Sequence, residues 1–280
     1  MTDFPHVDGV EHRFVEAGGV RLHVAEAGAG VPLLLVHGWP QHWYEWRGLV
    51  AELKGERRLI MPDLRGFGWS DAPAGPIEPE VFVRDLVALL DELGLEQVDL
   101  VGHDWGSFSS LLLAARHPER VRRLLAISSP HPWLKVTPRI ALETWRAWYA
   151  VLFAAGLMQR DNARLAAWFI GREGVPADEV EVFAARLREP ARATATTRLY
   201  RAYLRALVTT ARGSNPPEPR LTVPTLLMIG GRDQAVTPKL TVGFEHAGDE
   251  SRTEVVPGAG HFICDTHPQL VAARVREHLA

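Results

Sequence analysis

A strand-like run, Val98 to Val101, leads directly into Gly102-His103-Asp104-Trp105-Gly106, and a helical pattern follows from Ser107 to Arg116. Two glycines around one central side chain, between a strand and a helix, allow a turn tight enough to lift that side chain above the edge of a sheet. No other feature restricts the fold as much, since it demands a strand, a sharp turn and a helix packed back on that strand. The lifted residue is a carboxylate, Asp104, where such a turn usually carries Ser. Taken alone, Asp104 reads equally well as the N-cap of the following helix, a position Asp favours.

The rest of the chain supplies the setting. Arg13 to Ala27 holds two short runs around Gly18-Gly19, a hairpin signal. Leu33 to Val36 is a continuous apolar run bounded by Pro32 and Gly38, as expected of a strand buried on both faces. Arg58 to Met61, Val121 to Ile127, Thr225 to Ile229 and Thr253 to Val256 are further strand candidates. Glu80 to Leu93 carries Val83, Leu86, Val87 and Leu90 at helical spacing before Gly94, and Pro268 to Leu279 forms a last helix. Strands alternating with helices predict a mainly parallel sheet. The alternation stops near Pro130-His131-Pro132, gives way to a helical stretch from Trp133 to about Val208, and resumes after the loop Gly213-Ser214-Asn215-Pro216-Pro217. The expected organisation is an α/β core of residues 1–132 and 218–280, interrupted by a helical cap of residues 133–217.

Composition excludes several function classes. A 280-residue chain with a net charge of −3 and no long block of one sign offers no basic patch for nucleic acid. No apolar run reaches the roughly 18–20 residues of a membrane span, and MTDFPHVDGVEH lacks the pattern of a signal peptide. The single cysteine, Cys264, rules out an intramolecular disulfide and reads as a small apolar residue. A cytoplasmic protein with neither nucleic-acid nor membrane partners is expected; oligomeric state is not legible.

Two later motifs bear on Asp104. Gly230-Gly231-Arg232-Asp233 places a carboxylate just after a strand, and Gly258-Ala259-Gly260-His261 places a histidine in the loop after the next one. Singly, these read as a turn Asp and a capping or core His. Together they give the order nucleophile, acid, histidine, each at a strand's carboxyl end, where groups in an open α/β sheet converge. His37-Gly38-Trp39-Pro40 follows the Leu33 to Val36 strand. It suits an oxyanion loop in which the backbone N–H groups of Trp39 and Trp105 are the donors and His37 orients the loop.

The segments HGWPQHWYEWR, PDLRGFGWSD, VGHDWGS, AARHPERV, GGRD and GAGHF span nearly the whole core. In these the chain resembles epoxide hydrolases of the α/β-hydrolase superfamily and is similar to haloalkane dehalogenases. The resemblance implies an α/β-hydrolase fold, a small apolar epoxide (or haloalkane) and water as partners, and no metal or organic cofactor. It implies that Asp104 attacks a saturated carbon to form an ester, that His261 activates water, and that Asp233 orients His261. Ring opening would take proton donors from the cap, Tyr149 and Tyr200, with Tyr203 competing for the second place. His37, Trp39, Trp105, Tyr203 and Phe262 are the expected substrate-binding residues. Halide release would instead use the Trp105 indole with Trp145, Trp148 or Trp168, although Trp39 stands where dehalogenases often have Asn. A non-catalytic binding homologue is a third reading, against which the complete catalytic set argues; a serine esterase or cofactor-free peroxidase lacks its Ser.

Overall fold

The structure, a computed structural model, describes residues 4–135, 137–211 and 218–279. The loop expected at residues 213–217, and with it the expected boundary at 217, lies outside the described residues. Among the described residues there are eight strands: β1 (Val10–Ala17), β2 (Val20–Ala27), β3 (Val31–Val36), β4 (Arg57–Pro62), β5 (Val98–His103), β6 (Val121–Ile127), β7 (Thr225–Gly230) and β8 (Ser251–Val256). They form one sheet in the order β1-β2-β4-β3-β5-β6-β7-β8. The β1–β2 hairpin turns at Gly18-Gly19 and pairs antiparallel with β4; every pairing from β4 to β8 is parallel.

Every residue of β5 is buried, as a strand covered on both faces requires. The helices that cover the sheet are α1 (Arg47–Leu53), α2 (Pro79–Glu92), α3 (Trp105–Arg116), α9 (Ile263–Thr266) and α10 (Pro268–His278). Alternate side chains of β3 divide between two cores. Leu34 and Val36 pack with residues of α2 and α3, while Leu33 and Leu35 pack with Trp43, Trp46 and residues of α1 and α10. This is the two-residue period of a strand between two helical layers.

Between β6 and β7 lie α4 (Pro138–Ala141), α5 (Trp148–Ala154), α6 (Asn162–Gly171), α7 (Ala177–Leu187) and α8 (Pro190–Ala211). Helix α5 packs on α8, and α6 on α7. These helices are tied to the sheet layers by polar contacts. The Trp39 indole N–H donates to Thr196 Oγ1 at 3.2 Å, Arg186 donates to the Gly68 carbonyl at 2.9 Å, and Arg47 bridges Asp265 and Glu179. No helix among the described residues is long and apolar enough to cross a membrane.

One buried carboxylate joins the loops under the sheet's carboxyl edge. Asp63, just after β4, accepts the backbone N–H groups of Trp43 (2.8 Å) and Trp69 (2.9 Å) and pairs with His23 Nδ1 (2.7 Å). Burial alone would raise its pKa. The charge and hydrogen bond of His23, with His42 and His37 nearby, more than offset that and hold it well below the usual carboxylate range. Gly68 (φ 48°) leaves the space, since a Cβ there would lie 2.1 Å from the carboxylate. Asp63→Ala, which strands two N–H donors and His23, is expected to cost about 3–5 kcal/mol of unfolding free energy in urea titrations. A group with a depressed folded pKa stabilises above its unfolded pKa, so the gap between wild type and variant should shrink as pH falls below about 4. Equal stability at neutral pH would contradict this role.

Candidate active site

Asp104 occupies the turn between β5 and α3 with φ 51° and ψ −118°, a region L-residues rarely adopt. It holds the N-cap position, but its side chain makes no capping hydrogen bond. Instead, Oδ1 accepts the backbone N–H of Trp39 at 2.9 Å, so the side chain does not act as the helix cap. The strained turn is fixed by close packing. A Cβ on Gly106 would lie 2.0 Å from the Val36 carbonyl oxygen, and one on Gly38 would lie 2.4 Å from Asp104 Cβ. The loop after β3 therefore sits against the turn, which brings the Trp39 N–H to the carboxylate. Trp105 begins α3, where its N–H has no intrahelical carbonyl to bond.

The other two loops converge on the same point. Asp233 follows β7; its Oδ1 accepts the N–H groups of Ala235 and Val236, both at 2.8 Å, and its Oδ2 lies 2.8 Å from His261 Nδ1. His261 Nε2 lies 3.5 Å from Asp104 Oδ2. Burial disfavours the imidazolium, but the two carboxylates outweigh burial and raise the His261 pKa well above its ordinary value. The imidazole thus sits between two carboxylates, which favour its charged form. Behind it, His103 is buried and its pKa is pushed down, so its ring is neutral. Its Nε2 donates to the His261 carbonyl at 3.0 Å. Glu45, His103 and Cys264 bring three potential ligand atoms within 4.8 Å of one another. None of the three lines the cavity over Asp104, and one nitrogen of His103 is already engaged.

That cavity is lined by Trp39, Asp104, Tyr149, Tyr200, His261 and Phe262, with Trp145, Trp148 and Trp168 among its other walls. The Tyr149 and Tyr200 rings meet edge to face, their centroids 5.8 Å apart. Burial, with the Asp104 charge adding to it, raises both phenol pKa values, so both keep their protons at neutral pH.

Three expected substrate-binding side chains lie elsewhere. His37 is buried beneath its loop: Nε2 accepts the Leu64 N–H at 2.9 Å and Nδ1 donates to the Gly38 carbonyl at 3.0 Å. Tyr203, three residues along α8 from Tyr200, is rotated about 300° around the helix and packs edge-on against the Trp105 ring, centroids 5.7 Å apart. The Trp105 ring packs between Tyr200 and Tyr203 and is outside the cavity lining. Conversely, Phe169, Arg172, Glu173 and Gln234 line the cavity unforeseen. Gln234 could have been found as the neighbour of Asp233. The other three depend on how α6 docks, for which the sequence carries no signal.

Comparison with known proteins agrees with this architecture. A family model described as the alpha/beta hydrolase fold matches residues 31–268. The AB hydrolase superfamily protein YfhM of Bacillus subtilis (strain 168) is 31% identical over 291 aligned positions, covering 98% of this chain and 99% of the relative. Epoxide hydrolase 3 of Siraitia grosvenorii is 42% identical over 125 residues, 44% of this chain; the match spans 40% of that relative's length. Among solved structures, the epoxide hydrolase VrEH1 from Vigna radiata superposes with a TM-score of 0.80 at 26% identity, over 96% of this chain and 98% of that one.

The charge arrangement has a direct measurement. By NMR of the imidazole nitrogens, His261 should titrate well above the ordinary value near ~6.5, and lower in Asp104→Asn, which removes one anion. Since a raised folded pKa stabilises below the unfolded pKa, the stability contributed by His261 should disappear as pH rises through the folded value. A wild-type titration below the ordinary value would refute the assignment.

Proposed function

Because the chain belongs to the α/β-hydrolase fold family, we propose that it is an epoxide hydrolase, opening a small apolar epoxide to a vicinal diol through an ester on Asp104. One observation carries the proposal: two protonated phenols, Tyr149 and Tyr200, share a cavity with a carboxylate at the turn where this fold carries its nucleophile. On this reading residues 133–217 form a cap whose helices supply those phenols. The likeness to the Vigna radiata epoxide hydrolase over nearly the full chain supports it.

The contacts support the following course of reaction. Oδ1 of Asp104 is held by the Trp39 N–H, so Oδ2 is the freer oxygen and attacks the epoxide carbon. The C–O bond breaks toward the epoxide oxygen, which takes hydrogen bonds and then a proton from the Tyr149–Tyr200 pair. Oδ1 becomes the ester carbonyl oxygen, beside the N–H groups of Trp39 and Trp105 that would hold the later oxyanion. Esterification also removes the Asp104 charge. His261 then loses one of the two anions that raise its pKa, and its proton replaces the one the phenol gave to the epoxide oxygen. The neutral imidazole takes a proton from the water that attacks the ester carbonyl and passes it to the departing diol oxygen, and the acid left on Asp104 returns its proton to His261. Asp233 keeps Nδ1 of His261 oriented throughout.

The arrangement is less suited to halide release. The Trp39 indole N–H is engaged with Thr196, and the Trp105 ring lies outside the cavity lining, so neither indole of this pair is free to hold a leaving halide.

In labelled water, repeated turnover of an epoxide should place heavy oxygen in the Asp104 carboxylate, read by peptide mass spectrometry. His261→Gln should accumulate the alkyl-enzyme with little diol. An unlabelled Asp104 after many turnovers would eliminate the ester mechanism. Tyr149→Phe and Tyr200→Phe should each lower epoxide opening, by on the order of 10²-fold if both phenols share the proton donation. Halide release by either variant without loss of rate, where the wild type makes no diol, would move the assignment to a dehalogenase. Binding without any turnover would move it to a receptor.

A further inference from the structure

One short turn of the helical segment touches the loops of both Asp233 and His261. Arg172 and Glu173 lie between α6 and α7. Glu173 Oε2 accepts the backbone N–H of Phe262 at 2.9 Å. The other polar end of that peptide unit, the His261 carbonyl, accepts from His103 Nε2 at 3.0 Å. The peptide that follows His261 is therefore gripped at both ends, by the sheet layer through His103 and by the helical segment through Glu173. Gly260 leaves room for this grip, since a Cβ there would lie 2.3 Å from Glu173 Oε2. On the same turn, Arg172 donates to the Gln234 side chain, next to Asp233, while its guanidinium stacks 4.6 Å from the centroid of Trp168.

The core half of the grip is itself well supported. Neutral His103 carries one N–H, which faces the His261 carbonyl, so Nδ1 is an acceptor. Glu45 Oε2 lies 3.4 Å from Nδ1, and burial pushes the Glu45 carboxyl well up. A chain of two hydrogen bonds thus fixes the carbonyl from below, and the N–H end depends on Glu173.

We propose that the Arg172–Glu173 turn couples docking of the helical segment to the aim of the catalytic base, with Glu173 as a positioning residue for the hydrolytic half of the reaction. The proposal rests on the roles given above to Asp104 and His261. Attack by Asp104 needs no proton transfer to His261, whereas hydrolysis requires its Nε2 to point at a water beside the ester. Loss of the Glu173 contact releases the N–H end of the peptide that sets the direction of the ring, while His103 and the Ile263 N–H still hold its carbonyl. The ring's aim loosens without the loop unfolding, and the two half-reactions separate.

The test uses the full chain with styrene oxide as the probe, following formation and decay of the alkyl-enzyme by stopped-flow tryptophan fluorescence and rapid-quench mass spectrometry. Glu173→Ala is expected to slow ester hydrolysis by about 10-fold, because small misplacements of a catalytic group carry large rate costs, and to slow ester formation, which Glu173 touches only as part of the cavity lining, by a clearly smaller factor. Glu173→Gln keeps an oxygen that can accept the Phe262 N–H, and should restore hydrolysis to within about 2-fold of wild type. Equal slowing of both steps in Glu173→Ala, or a Gln variant as slow as the Ala variant, would overturn the proposal. Amide exchange of Phe262 supplies a readout free of turnover: it should speed up in Glu173→Ala and not in Glu173→Gln, and unchanged protection in both would also overturn it. A wild-type protein that forms no adduct would instead sink the ester reading, with the exchange measurement still deciding the grip.

Discussion

The site is organised around steric contact at the turn after β5. Asp104 is held at a positive φ because backbone from two sides closes on it: the Val36 carbonyl presses against Gly106, and Asp104 Cβ against Gly38. Neither glycine adopts a positive φ itself. They are required because no side chain fits between two backbones at that distance. This packing brings the loop after β3 against the turn after β5, and the Trp39 N–H meets the carboxylate as a result. Parallel pairing then does the rest. With β3, β5, β7 and β8 all pointing the same way, the loops carrying Trp39, Asp104, Asp233 and His261 share one edge of the sheet.

Electrostatics gives the assembly its chemical direction. A histidine between two carboxylates in a buried site is stable as a cation and is a poor base in that state. Neutralising one carboxylate by esterification is what would release it. On the proposed mechanism the order of events would be inherent in the charges, because His261 would become an effective base only after Asp104 had been esterified. The phenols opposite follow the same logic. Buried near Asp104, they are held neutral, as the proposed donor role requires.

The helical segment has a second role besides roofing the cavity. Its contacts fall on loops that carry functional side chains: Thr196 on the Trp39 indole, Arg172 beside Asp233, and Glu173 on the peptide after His261. A segment joined in this way cannot shift without disturbing those loops, so substrate access and catalytic geometry share one set of contacts.

Much of this was legible in the chain itself. Strand boundaries followed from short apolar runs ended by Gly or Pro, and the order Asp104, Asp233, His261 followed from motifs placed after strands. These are local signals, set by backbone sterics and by the two-residue period of buried strands, so a linear string can carry them. The turn alone could not say whether the Asp104 carboxylate caps the helix; a contact 65 residues away in sequence, from the Trp39 N–H, draws it away from the cap position. Tyr200 and Tyr203 are equivalent by composition and nearly so by helical spacing, and the docking angle of α8 on Trp105 put one in the cavity and the other behind it. His37 proved to be a buried strut because the Leu64 N–H reaches its ring. The sequence by itself determined the sheet, its carboxyl-edge loops and the chemical types they carry. Which side chains face the cavity, and Glu173's hold on the histidine loop, were decided only by tertiary packing, because the register of one helix against another depends on contacts between residues far apart in the chain.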